Sequence, residues 1–544
     1  MEWREVSREV ARLRTLGDLV ATSVARHAGR DALVLRDGAS FTYREAGQSI
    51  ARLQNRLAAT GVAQGDRVGL LGENSPAWCI AYLAVVGMGS VVVPILPDFS
   101  AEATGSILKH AGASGLIVSE SLRPKAPTGS ETGFVLGLDE IANLDGDADP
   151  GSRPAIDESD LAAILYTSGT TGDPKGVMLT HGNLVQNIIS SMAVIDIRPE
   201  DRFLSVLPLA HSYECTIGFL VPFAAGACVT YLGRPPVLSA LLPALKEVRP
   251  TLMLSVPLIM EKLYDARVKP VFARNAITRA LERIAPLRKL IHRAAGRKVY
   301  AAFGGTLRFF GVGGAPLTPN TERFLREARF PYSIGYGLTE TAPLVAGTDA
   351  EHTRYRSTGP AIKGVEIRID GASRPGEEGE VLVRGPNVMR GYYRNEEATR
   401  EVLTEDGWLR TGDLGSMDRD GYVYIRGRLK NMVLGPGGEN IYPEDLENVI
   451  NEHELVVESV VYEEAGGLTA RVHIDIEQLK ERFAAADEEA AALQQRADEI
   501  LEEIRKNVNT RVSRHARLAR MILQWEPFER TPTRKIKRFL YRES

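Results

Sequence analysis

Between residues 66 and 120 the chain alternates short β-branched runs with helical stretches, and that rhythm constrains the fold more than any other feature. RVGLLG (67–72), SVVVPI (90–95) and SGLIVSE (114–120) read as strands, separated by PAWCIAYLAVVGMG (76–89) and FSAEATGSILKHAG (99–112), which read as helices. Strand runs without polar alternation are buried on both faces. With helices between them they predict parallel sheet and an α/β architecture. The rhythm resumes at DLAAILYTSG (160–169) and again at LRFFGVGG (307–314). A chain of 544 residues exceeds one compact core, so the pattern implies more than one α/β unit.

Later segments differ. GEVLVRG (379–385), WLRTGDLG (408–415) and GYVYIRGR (421–428) are short strands with frequent turn signals, predicting a smaller β-rich subdomain. Beyond Arg428 come ESVVYEE (458–464), ARVHIDI (470–476) and a long helix with Leu493, Ala497, Ile500 and Ile504 on one face. The expected organisation is a large domain, 1–428, of two α/β subdomains plus the β-rich one, and a smaller α+β domain, 429–544. Residues 121–158, rich in Pro, Gly, Ser and Asp, read as a surface connection.

Several classes are excluded or disfavoured. Sixty-six basic against 70 acidic residues leave a net charge of −4, without the basic footprint of a nucleic-acid binder. Cys79, Cys215 and Cys228 lie far apart with no metal-ligand spacing, which suits a reducing cytoplasm and ordinary packed thiols. The N-terminal stretch mixes Glu and Arg at helical spacing. It reads as an amphipathic helix lying on the protein, with a membrane surface as the alternative. Thr216–Gly233 carries no charge, but Pro222 and Gly226 interrupt it. It reads as a buried helix followed by a buried strand, not a membrane span. Residues 501–544 hold 12 basic and 5 acidic side chains, either a solvated face or a cap over polyphosphate.

The strongest chemical signal is YTSGTTGDPKGVMLTH (166–181), small and hydroxylated residues between an apolar strand and an expected helix. Gly169 and Gly172 let backbone approach an anion. Thr167, Ser168, Thr170 and Thr171 supply hydroxyls, and Lys175 supplies positive charge. The loop is not a Walker motif, because Gly176 follows Lys175 where Ser or Thr is required after a Gly-Lys pair.

This segment resembles the signature of the adenylate-forming superfamily, which includes acyl-CoA synthetases, luciferases and peptide-synthetase adenylation domains. It agrees at every position from Thr167 to Lys175. The resemblance continues in order through GVGGAP (311–316), GYGLTET (335–341), RTGDLG (410–415), GRLK (427–430) and TPTRKIKR (531–538). It implies an adenine-contacting turn at Gly313, Gly314, Ala315 and Pro316. It implies nucleotide contacts at Tyr336, Gly337 and Ile425, an α-phosphate contact at Thr339, and Mg²⁺ held by Glu340. Asp413 and Arg428 would take the ribose, Lys430 would be the hinge of a mobile C-terminal domain, and Lys535 would be the catalytic lysine. Gly437 and Gly438 would lie near coenzyme A. A helix-start role for Glu340 and a turn role for Asp413 are the plain alternatives, and Lys537 is a second candidate lysine.

LPLAHSYE (207–214) resembles the acyl-pocket segment of long- and medium-chain fatty acyl-CoA synthetases. That places His211 near the substrate carboxylate, with a helix cap or packed surface residue as its alternative. The resemblance therefore implies ATP, Mg²⁺ and coenzyme A acting on a fatty acid. A carrier protein as acceptor, an aryl acid as substrate, and a non-catalytic nucleotide-binding protein are the rivals. Chain-length preference and oligomeric state are not legible, and a peripheral membrane contact stays open.

Overall fold

The computed structural model describes residues 9–127, 133–149, 155–167, 174–270, 284–434, 440–453, 455–464, 466–483, 490–531 and 536–541. Two seven-stranded sheets dominate. In the first, Arg67–Leu71 pairs in parallel with Val91–Ile95 and Gly115–Val118, as the alternating pattern requires. In the second, Arg202–Ser205, Cys228–Tyr231, Leu252–Ser255, Phe309–Val312 and Tyr332–Ile334 also pair in parallel. The helix Pro76–Gly87 is buried on every side, with Trp78, Tyr82 and Leu83 at most 1% exposed. That accounts for its all-round apolar sequence.

A four-stranded antiparallel sheet runs Glu366–Ile369, Glu378–Arg384, Leu409–Met417, Val423–Arg428, matching the short-strand reading. After it, Val456–Glu464 and Gly467–Ile474 pair antiparallel, and Leu518–Gln524 adds a parallel third strand. The Ala490–Arg511 helix packs on this sheet through Leu493, Ala497, Ile500 and Ile504. One core spans Val10 to Leu409, and a separate one spans Ile441 to Leu518. The fold is thus α/β, with a large N-terminal and a smaller α+β C-terminal part.

Four readings change. The segment after the phosphate loop is a strand, Lys175–Thr180, paired antiparallel with Leu161–Thr167, and the helix begins only at His181. KGVMLT buries Gly176, Val177 and Leu179 within the sheet, and Thr180 delays the helix by capping it through Asn183. Residues 121–158 are not wholly superficial, because Leu136, Leu138 and Ile141 are buried beneath the chain. The N-terminal helix breaks before Thr15, whose hydroxyl caps Leu16–His27 in a reciprocal box with Asp18. The basic stretch 501–544, read as a solvated helix face or a cap over polyphosphate, contains the strand Leu518–Gln524.

The Thr216–Gly233 stretch is a buried helix and strand, as expected, but its first turns are wound wide. Glu214–Leu220 is a π-helix leading into the α-helix Val221–Ala225. Such turns concentrate at functional sites. Among the described residues no helix is long and apolar enough to cross a membrane.

Candidate functional site

Three motifs far apart in sequence meet at one hydrogen-bonded group. Asp413, 5% exposed on the strand Leu409–Met417, accepts from the Tyr336 hydroxyl at 2.7 Å. Its other oxygen lies 2.9 Å from Nε of Arg428, at the end of the neighbouring strand. Arg428 also donates to the Thr411 carbonyl at 3.1 Å. Asp413 pairs directly with Arg428 across the sheet, so backbone register sets the salt bridge. Burial, and then the Asp413 charge, push the Tyr336 phenol well above its ordinary pKa, so it stays a donor. Ile425 faces Gly415 on the same sheet pair.

The hairpin Tyr336–Gly337/Leu344–Ala346 carries the next group. Gly337 is obligatory there, because a Cβ would stand 2.0 Å from the Pro343 carbonyl. The turn between its strands holds Thr339 and Glu340, and two fully buried amides clamp it. Asn187 and Asn387 each donate to both the Thr341 and Leu344 carbonyls, at 2.9–3.2 Å. Ser212, directly after His211, donates to the Thr339 hydroxyl at 3.5 Å. The Glu340 carboxylate accepts from the Tyr392 hydroxyl at 2.9 Å, and the Lys175 ammonium stands 5.2 Å from the centre of the Tyr392 ring. Burial and the Glu340 charge keep that phenol protonated.

Gly313 donates its N–H to the Ser255 carbonyl, and the ring of Tyr213 lies where a Cβ at Gly313 would need 3.0 Å of room. Gly314 takes a left-handed conformation at φ 86°, turning the chain toward Ala315 and Pro316. This turn therefore borders the segment that follows His211. His211 is half-buried, and its ring Nδ1 accepts from the Tyr213 N–H at 3.4 Å, the geometry of a local cap. Glu214 is 1% exposed with Oε2 unpartnered among the described residues, and burial pushes its carboxyl up to about 8. Cys79 and Cys215 are buried free thiols, raised by burial and so poor nucleophiles.

Thr167, Lys175, Gly313, Tyr336, Thr339, Glu340, Asp413 and Arg428 are thus linked through direct contacts or adjoining strands. Lys430 sits in the short turn Leu429–Asn431, beside the Asn431–Glu444 hydrogen bond of 2.7 Å. Ser168, Gly169, Thr170, Thr171, Gly437, Gly438 and Lys535 lie outside the described residues. Tyr392, Asn187, Asn387 and Glu214 escaped sequence reasoning. Tyr392 reaches Glu340 because Gly391–Tyr392 adds as an edge strand beside Met178 and Val177, a pairing no local pattern announces.

The linked strands and loops define a nucleotide-dependent class of enzyme, and comparison with known proteins agrees. The AMP-binding enzyme family matches residues 20–393, and the chain belongs to that family. It is 33% identical to a long-chain-fatty-acid–CoA ligase from Mycobacterium bovis, over 78% of this chain and 75% of that one. It is also 33% identical to a feruloyl-CoA synthase from an Amycolatopsis species, over 78% and 80%. Among solved structures, ATP-bound MatB from Rhodopseudomonas palustris superposes with a TM-score of 0.76 at 26% identity, covering 97% of this chain and 98% of that one.

Proposed function

We propose that this chain joins a fatty acid to coenzyme A through an acyl-adenylate. A carboxylate oxygen attacks the α-phosphorus of ATP, the bond to the β-phosphate oxygen breaks, and pyrophosphate leaves. The coenzyme A thiol sulfur then attacks the acyl carbonyl carbon, AMP departs, and the thiol proton passes to solvent. The observation that supports this most directly is the Tyr336–Asp413–Arg428 group. A buried carboxylate held by a phenol and a guanidinium is an acceptor of fixed orientation, suited to vicinal ribose hydroxyls.

Both reactants of the first step are anions, so the site must offset their repulsion while aligning them. Lys175, Lys535 and the hydroxyls of the 167–171 segment would carry positive charge and hydrogen bonds to the phosphates, with Thr339 on the α-phosphate. Glu340 suits Mg²⁺. A single carboxylate is enough for an ion that keeps its waters and binds phosphate oxygens, and no cluster of three acidic, His or Cys ligands occurs among the described residues. When bound, the ion neutralises phosphate charge. We place the domain division after Arg428 with Lys430 as pivot, and Gly437 and Gly438 toward the thiol. The buried free thiols suit a reducing compartment.

The uncharged stretch after His211 favours an apolar acyl tail. An aryl acid is a second reading, favoured by the feruloyl-CoA synthase relative and by the buried, half-partnered carboxyl of Glu214. The test is product analysis with ATP, free coenzyme A and a panel of fatty and cinnamic acids. Thioester and AMP from the fatty members are expected. Acyl-AMP without thioester would move the acceptor to a carrier protein, and turnover of cinnamic acids alone would replace the fatty reading.

A further inference from the structure

The helix Ala285–Ala302, APLRKLIHRAAGRKVYAA, holds five Lys and Arg and no Asp or Glu, in a chain whose net charge is −4. Its inner face is packed. His292, Gly296 and Val299 are buried, and Gly296 admits Ala328 so closely that a Cβ would meet it at 2.5 Å. Arg288 and His292 both reach Glu327 at 2.8 Å, so that carboxylate is spent inward.

The outer face is different. Leu287, Leu290, Ala294, Arg297 and Ala301 follow one another at spacings of three and four, a single exposed line along the helix. Leu290 is 64% exposed, and Ile284, just before the helix, 49%. Arg293 and Lys298 are exposed on either side of that line. Lys289, Arg293, Arg297 and Lys298 have no ion-pair partner among the described residues.

We propose that this face docks on an anionic lipid surface. Exposed leucines flanked by unpaired cations of one sign match the interface of an acidic bilayer, where the apolar side chains enter the acyl boundary and the cations meet headgroup phosphates. Charge complementarity selects this occupant. A second copy would set like charges against each other across a two-fold axis, and a nucleic acid would leave the leucines in water. On the fatty-acid reading given above, the face has a use, because long-chain acids partition into such surfaces and the enzyme would collect them there.

The experiment is flotation of the full-length protein with phosphatidylcholine vesicles, with and without phosphatidylglycerol, at low and high salt. Binding needs no catalysis, so its outcome is separate from that of the product assay. Binding to the anionic vesicles that weakens with salt is expected. Combined Arg293→Gln, Arg297→Gln and Lys298→Gln should weaken it by about a hundredfold, and Leu287→Gln with Leu290→Gln should also weaken it. Both variants should keep wild-type turnover of a short, water-soluble acid, which shows that they fold. Equal binding to neutral vesicles, binding unchanged in the variants, or self-association through this helix without vesicle binding would overturn the proposal.

Discussion

Glu214→Gln should flatten part of the pH dependence of folding stability around neutrality. The carboxyl is 1% exposed, one oxygen lacks a hydrogen-bond partner among the described residues, and Gly218 packs against it so closely that a Cβ there would meet the carboxyl carbon at 2.6 Å. Burial raises its pKa from 4.5 to about 8, a hydrogen bond from Ser205 opposing in part. Between those values the folded chain keeps a proton that the unfolded chain releases. Its contribution is therefore fully present below the unfolded pKa, falls as pH rises, and is lost once pH passes the folded pKa of about 8. One proton corresponds to about 1.4 kcal/mol per pH unit, so stability should fall by roughly 2–3 kcal/mol between about pH 6 and 8 from this group. Glutamine keeps the shape and a donor but cannot ionise. Urea unfolding of the full chain, wild type against variant over a pH series, isolates the difference because other titrating groups cancel. A difference that stays constant with pH would refute the buried, protonated carboxyl.

Two further outcomes follow from the site. Asp413→Asn removes the charge that faces Arg428 and turns one of the two acceptor oxygens into a donor. Charged hydrogen bonds contribute about 1.5–3 kcal/mol, so the KM for ATP should rise roughly 10- to 100-fold and the preference for ATP over 2′-deoxy-ATP should shrink; an unchanged KM counts against a ribose role. Lys535→Ala should slow acid-dependent pyrophosphate exchange by about 10²–10³ while transfer from supplied acyl-AMP to coenzyme A persists; exchange near the wild-type rate would shift the role to another group such as Lys537.

Sequence alone determined the features whose physics is local. Unbroken apolar runs between helical stretches read as buried strands, and the parallel pairing of Arg67–Leu71 with Val91–Ile95 and Gly115–Val118 follows from them. The uncharged 216–233 stretch had to be buried because nothing in it could face water cheaply. The glycine–threonine loop stood out by its own residue types, whereas Thr339, Glu340 and Asp413 were singled out by the resemblance of their segments to the adenylate-forming signature.

Tertiary structure alone decided what meets what. Whether KGVMLT would be helix or strand depended on an edge offered by Leu161–Thr167, a long-range pairing that local preference cannot weigh. The Tyr392 bond to Glu340 depends on the same sheet gaining Gly391–Tyr392. Asn187 and Asn387 look like ordinary polar residues until two carbonyls of one turn converge on both. Glu214 is buried only because the π-turn carries it inward, and Leu287 and Leu290 are left outside because the helix packs by its opposite face. In each case the deciding energy lies in contacts between segments distant along the chain, and the packed fold is what chooses them.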